Sequence, residues 1–491
     1  ENISSKFNFA PRVGFAWSPG AANATRPPKT VIRGGGGIFY NRFSEGFTLT
    51  SERFNGSNEL SYVLAEPFIG ATAPTQAQLD IPTARPVYNL LNLFPTVPTP
   101  AQLTVIPATQ QTIYRVASNL QAPMFTLGGL QVERQLPRNI TAFAGFYTFR
   151  ISHVIRARDI NAPLPGTITT ATPNGIRPNP AVGDINQYES SGKYRQSQFV
   201  MGFSSRLNPN ISLQGNYTLA FQKNDTDGGG GFPVNSYDFT GEFGRGSGDI
   251  RHRFTLVGNI NAPKLWKLSF SPFIVANSGP PFNITTGQDT NLDRQYNERP
   301  TFAALNTYCT SLPTRCTRFD FSNTSNQIIP RNYGHAPGSL SVNMRISRTF
   351  AFGGEANRSA SNAKQNQQKG SGDSAKGGGG SPVRGGPMIG GAMGGGSKGP
   401  GGPGGPGPQM MGGPGGGAAG PQKYSLTLSI NFQNVLNHVN LGSPVGNLSS
   451  PNFGQSLGTG GMFGFFFGPG GGGGGNGAGN RRVTLSARFT F

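Results

Sequence analysis

Asp289, Asn291 and Asp293 stand at alternate positions in the stretch TGQDTNLDRQYNERP. Oxygen-bearing side chains at every second position are what calcium loops use to surround a hard cation. The glycine and the distant bidentate glutamate of an EF-hand are not evident, so the competing reading is a set of solvated turn residues. A second acidic stretch, NDTDGGGG, offers Asp225 and Asp227. Calcium is the one cofactor these residue types admit, and its role would be to rigidify a long loop. No other cofactor is expected.

Cys309 and Cys316 lie close together in TYCTSLPTRCTRF. A local disulfide fits this spacing and implies an oxidising compartment. A zinc site would need further ligands nearby, and none occurs. His153, His252, His335 and His438 are far apart in sequence, without an H-E-x-x-H pattern. No Ser/His/Asp arrangement has supporting context, so no catalytic residues are expected and the chain does not read as an enzyme. GGGGIFYNR lacks the GK[ST] of a phosphate loop and opens no helix. It reads as a strand in which glycine permits close packing or a bend.

These residues need elements to position them. The chain has 491 residues, 13% charged, with 74 Gly, 40 Pro and 36 Phe against 2 Trp. That charged share is about half the usual one. No long apolar run occurs, so no helix spans a membrane, and a membrane reading must be a β-barrel reading. The net charge of +20 comes from Lys and Arg scattered singly rather than clustered. Nucleic acid is therefore not an expected partner, and a basic lumen or rim fits better.

The last segment, RRVTLSARFTF, alternates strictly. Val483, Leu485, Ala487, Phe489 and Phe491 fall on one face, and Thr484, Ser486, Arg488 and Thr490 on the other. Period two means a strand with one apolar and one polar face. The same pattern recurs in YSLTLSINF, SLSVNMRIS and NISLQGNYTLAF. Eleven strands are expected, over 8–18, 30–41, 124–136, 139–150, 195–207, 210–221, 251–262, 265–277, 340–352, 424–434 and 481–491. Most are about nine to eleven residues long, what a tilted strand needs to cross a bilayer. Pro272 is a local fault that a bulge would absorb.

Connections alternate between short and long. LPRN, LNPN and INAPK are short, and the connections after the second, fourth, sixth and eighth strands are long. An outer-membrane barrel shows this alternation, with tight periplasmic turns and long external loops. The fold class expected is therefore all-β, an antiparallel transmembrane barrel whose apolar face meets lipid. By this alternation the first and last strands both descend toward the periplasm. An odd strand count then predicts at least one further strand upstream, so the chain reads as the C-terminal part of a longer protein. Three segments follow: barrel strands and loops over 1–352, a Gly/Pro-rich insert expected to be disordered over 353–422, and the last two strands over 423–491. A second Gly-rich patch carries Phe463, Phe465, Phe466 and Phe467 in the final external loop.

Lumen-facing Arg345, Asn343, Gln214 and Asn216 either contact a solute or only keep the lumen wet. Simple alternation puts Arg348 and Arg488 on opposite faces, with Arg348 beside Ile346 and Phe350 toward lipid. A lipid-facing arginine costs about 2–4 kcal/mol at the midplane and far less near the interface. An interfacial Arg348 is the consistent placement.

FAPRVGFAWSP with TVIRGGGGIFYNRF, then QVERQLPRN, ARDINAP, DIRHRF, RNYGHAPGSLSVNMRISRTF and FQNVLNHVNLG resembles the barrel of Oar-like TonB-dependent outer-membrane receptors. The resemblance runs over nearly the whole chain except the Gly-rich insert. It implies a barrel of 22 strands closed inside by an N-terminal plug, of which eleven strands would be half. It also implies coupling to a TonB-type inner-membrane complex through that plug. The terminal RFTF, with Phe489 and Phe491, looks like the aromatic signal read by the barrel-insertion machinery. The implied function is uptake of a bulky solute: a siderophore, a carbohydrate or a peptide. The alternatives are a passive porin-like channel and a surface adhesion or export partner.

Overall fold

The computed structural model describes residues 8–20, 29–42, 44–62, 88–89, 96–103, 111–355, 422–460 and 479–490. The Gly-rich insert, the phenylalanine patch at 463–467 and Phe491 lie outside the described residues. Among the described residues the eleven strands that the alternation predicts are present, the first being the shortest. They are β1 Arg12–Trp17, β2 Thr30–Tyr40, β3 Met124–Leu136, β4 Ile140–Asp159, β5 Ile185–Asn208, β6 Ile211–Asn224, β7 His252–Ala262, β8 Leu268–Asn277, β9 Ser339–Glu355, β10 Gln422–Gln433 and β11 Arg482–Thr490. Each pairs antiparallel with its sequence neighbours in one large sheet. Among the described residues β1 and β11 are its two edges and do not pair with each other.

The register aligns the apolar positions into continuous rows. One row runs Trp17, Ile32, Val132, Ala144, Met201, Tyr217, Phe254, Ala276 and Leu340, crossing nine strands. Another runs Ile211, Ile260, Phe270, Ile346, Ile430 and Leu485 across β6 to β11. Trp17 is 60% exposed and Leu485 75%. An apolar face this extensive and this open to solvent cannot belong to a water-soluble sheet, because exposed apolar patches are normally a few hundred Å² at most. On the opposite face Gln135, Thr141, Ser204 and Gln214 share a row. Tyr147 donates to Gln131 there, and Arg345 to Ser429. Arg348 shares a row with Leu428 and Ala487, whereas Arg488 sits with Thr427 and Thr349. The guanidinium of Arg348 lies 4.4 Å over the Phe350 ring on the apolar face.

Aromatic rings cover glycines along the sheet. A Cβ on Gly34 would meet the Phe15 ring at 2.5 Å, and one on Gly129 the Tyr147 ring at 2.4 Å. That is the close packing expected of the glycine run. Pro272 does not bulge its strand. Val257 pairs with Phe273 and Ile260 with Phe270 in one unbroken register, while the two pairs between them drop out of the ladder. A proline has no N–H to give the ladder. Gly258 makes room for it, since a Cβ there would meet the Pro272 ring at 3.1 Å.

The structure departs from the sequence reading most in β4 and β5. β4 runs on to Asp159 and β5 begins at Ile185, so this hairpin stands well clear of a bilayer that about ten residues suffice to cross. Register shifts at 152–154 and 154–156, with His153 at φ 61°, break the period of two. Ile155 and Ala157 are then packed against loops rather than facing lipid. β9 and β10 also lengthen, and Glu355 pairs with Gln422 across the ends of the insert.

Short turns lie at one end of the sheet. Arg138 and Asn139 both adopt positive φ in the β3–β4 turn, and Trp266 and Lys267 do so before β8. The long connections gather at the other end. Among the described residues they carry two helices of two turns or more that the alternation did not indicate, α1 Glu45–Arg53 and α2 Phe302–Ser311, besides single turns at Pro100–Leu103 and Pro313–Arg315. Thr301 caps α2 by accepting from the Ala304 N–H at 3.1 Å.

Candidate functional site in the loop cap

The long loops form a folded cap with cores of its own. Phe282, Ile284, Leu305, Cys309, Cys316, Ile329 and Ala336 from the β8–β9 loop bury together with Phe453 from the β10–β11 loop. Tyr308 and Phe319 pack their rings on Phe453 at 5.3 and 6.0 Å. Cys309 and Cys316 are bonded to each other and fully buried in this core. A second core joins Leu120, Ile155, Ala157 and Tyr188, with the Phe47 ring of α1 tilted against Tyr188 at 5.0 Å. Residues Gln111–Val116 add a short parallel strand along the start of β5.

Charged pairs bind the loops to one another. Arg299 meets Glu242 at 2.8 Å, both buried, linking the β8–β9 and β6–β7 loops. Arg177 reaches Asp184 at 3.0 Å and Asp159 at 3.6 Å, and Arg294 reaches Asp184 at 3.1 Å. Burial pushes the Asp159 carboxyl up to about 6, and the nearby Asp184 charge adds to the rise.

Asp225 and Asp227 are committed elsewhere and do not form the second acidic site that their spacing suggested. Asp225 pairs with Arg156 at 2.8 Å and accepts from the Lys193 N–H. Asp227 is held by Arg331, Asn224 and Ser247.

Asp289, Asn291 and Asp293 do come together. Asp289 accepts from the N–H of Asp293 at 3.2 Å and of Arg294 at 2.9 Å. Asn291 Oδ1 accepts from the Asp293 N–H, and its Nδ2 donates to Asp293 Oδ2 at 3.1 Å and to the Val234 carbonyl at 2.8 Å. The chain then folds back so that Glu298 brings a third carboxylate. Ligand oxygens of Asp289, Asp293 and Glu298 lie within 4.8 Å of one another. Burial pushes Asp293 up to about 7, helped by the charges of Asp289 and Glu298. Burial also raises Asp289 and Glu298. The sequence reading missed Glu298, because its approach depends on Arg294 turning the chain at φ 60°.

At the short-turn end, Phe489 lies on the apolar face. Its ring centroid is 6.0 Å from those of Phe352 and Tyr424, forming an aromatic group at that edge of the apolar band. Aromatic girdles mark the interfaces of outer-membrane barrels.

The sequence pattern of a family described as "Outer membrane beta barrel domain" matches residues 3–361. The chain belongs to the outer membrane β-barrel family. The exposed apolar face of this barrel sheet is thus its lipid face, and the protein resides in the outer membrane. No curated protein matches the chain. Among solved structures, the chain is similar to the outer membrane transporter YddB from Escherichia coli, at 12% identity and a TM-score of 0.42, over 97% of this chain and 40% of that one. It is also similar to the siderophore receptor PirA from Acinetobacter baumannii, at 8% identity and a TM-score of 0.41, over 98% and 41%. A ferric enterobactin receptor (PfeA) mutant from Pseudomonas aeruginosa gives 7% identity and a TM-score of 0.40, over 98% and 40%. The chain spans about two fifths of the length of these proteins.

Proposed function

We propose that this chain supplies barrel strands and external loops to an outer-membrane receptor-transporter that takes up a bulky solute by TonB-dependent coupling. The observation that carries the reading is the cap. Loops from five connections are joined by buried cores and ion pairs, and one of them is closed by a disulfide. A receptor needs a rigid, shaped outer surface to select its solute, and a passive pore does not. The polar opposite face, with Gln214, Asn343 and Arg345, suits a wet lumen. Siderophore, carbohydrate and peptide are the solute classes. The coupling complex would act through a plug, and the barrel-insertion machinery would read Phe489 and Phe491.

Planar-bilayer conductance of the intact protein in potassium chloride tests this. A gated receptor is closed at rest and passes no steady current. Stable open steps at low voltage would make the protein a passive channel and overturn the proposal.

A further inference from the structure

We propose that Asp289, Asn291, Asp293 and Glu298 form a calcium site within the cap, one that clamps the β8–β9 loop against its neighbours. The first, third and fifth positions of the loop, Asp289, Asn291 and Asp293, offer side-chain oxygens. Arg294, in the sixth position, has φ 60° and turns its N–H onto Asp289 Oδ2. In calcium loops of this spacing the sixth position makes the sharp turn that glycine ordinarily permits. Here an arginine adopts it, held by its ion pair to Asp184.

Glu298 supplies the observation that points beyond the loop's own hydrogen bonding. It is only 7% exposed, and its Oε2 is buried with no hydrogen-bond partner. Its Oε1 accepts from the Thr290 N–H at 2.9 Å. A buried carboxylate oxygen left without a partner is costly, and a cation removes that cost.

The ligand set favours calcium. Two oxygens on one calcium, each about 2.3–2.6 Å from it, can be separated by up to about 5 Å. The three carboxylates satisfy this, with their ligand oxygens within 4.8 Å of one another. Magnesium, at about 2.0–2.1 Å, demands near-ideal octahedral geometry and keeps several of its waters, so a site built from protein oxygens alone suits it poorly. Charge favours a divalent ion, since three carboxylates converge here.

The ion would act at a junction. Asn291 donates to the Val234 carbonyl of the β6–β7 loop, and Arg177 of the β4–β5 loop donates to the Leu292 carbonyl. Fixing residues 289–298 therefore fixes three loops at once. An external site of this kind works at about 10⁻⁴–10⁻³ M calcium. The site stands whether or not uptake is energised.

The test uses the intact protein in detergent, stripped with EGTA and titrated with calcium chloride or magnesium chloride. Isothermal titration calorimetry reads binding, and trypsin cleavage after Arg294 reads loop closure. Calcium should bind with one site per chain and slow cleavage at Arg294 by about tenfold or more, with magnesium much weaker. Glu298→Gln should lose calcium binding by at least about tenfold while its heat-modifiable barrel migration stays normal. The wild-type comparison with and without calcium needs no variant to fold. Absence of calcium heat and protection up to about 10 mM, equal binding of magnesium, or unchanged calcium affinity in Glu298→Gln would each overturn the proposal.

Discussion

Arg156 of β4 and Asp225 after β6 meet at 2.8 Å with the arginine 1% exposed. The guanidinium also lies 4.4 Å over the Phe239 ring. One ion pair thus ties the protruding hairpin to the β6–β7 loop, with its guanidinium sealed from water and its carboxylate 11% exposed. Removing one partner of such a pair leaves a buried charge uncompensated, at about 3–5 kcal/mol, whereas replacing both by apolar groups is often neutral. Asp225→Asn should open the cap to proteolysis, and Arg156→Met with Asp225→Leu should largely restore its resistance. Equal protease sensitivity of the single variant and the wild type would show that the pair contributes nothing.

The Cys309–Cys316 bond closes a short loop at the end of α2, directly beneath Phe453. Chain entropy alone gives a disulfide over a loop this short about 2–3 kcal/mol. Cys309→Ser with Cys316→Ser should make the β8–β9 loop the first segment to exchange amide hydrogens, and should loosen the β10–β11 loop through Phe453. Exchange confined to 309–316, with Phe453 amides unchanged, would show that the two loops do not unfold together.

The lipid-facing strands were legible because a bilayer imposes the same demand on every strand. Leu428 and Leu485 must be apolar whatever neighbour they meet, so the alternation survives reading from sequence alone. Where strands leave the bilayer that demand ends. Ile155 is buried by loops that arrive from distant parts of the chain, and the irregularities around His153 erase the period. Local turn chemistry was equally misleading at the acidic loops. Asp225 and Asp227 looked like ligands, but their arginine partners, Arg156 and Arg331, come from other connections. Glu298 carried no signal at all, since the left-handed turns at Leu292 and Arg294 bring it round.

Asp159 gives the cap a pH dependence. Its carboxyl, raised to about 6 from 3.8, holds a proton more tightly in the folded cap than in the open one. The folded cap is therefore favoured most below about pH 4, and that advantage is lost as pH rises through about 6, amounting to up to about 3 kcal/mol. Asp159→Asn keeps Oδ1 as acceptor for the Asn161 and Ile185 N–H groups, at 2.9 and 2.8 Å. Its cap should resist urea better than the wild type at pH 7 and no better at pH 4. A difference that stays constant across that range would remove Asp159 as the titrating group.

Leu213 and Gln214 are adjacent in β6, and the register puts them on opposite faces. Leu213 pairs with Gly258, which the register sets opposite Pro272, and Pro272 continues the row to Met344, Phe432 and Val483, while Gln214 shares its row with Ser204 and Val257. An arginine on the lipid face costs about 2–4 kcal/mol near the midplane, and one in a wet lumen costs little. Leu213→Arg should therefore lower the yield of folded, heat-modifiable barrel in lipid vesicles and its stability to guanidinium, while Gln214→Arg leaves both near wild type. Arg348→Leu calibrates depth on the same face. If Arg348 sits at the interface beside Phe350, removing its charge should change stability by less than about 1 kcal/mol. A gain of several kcal/mol would place Arg348 in the hydrocarbon, and would shift the membrane boundary along β9 relative to the aromatic group of Phe352, Tyr424 and Phe489.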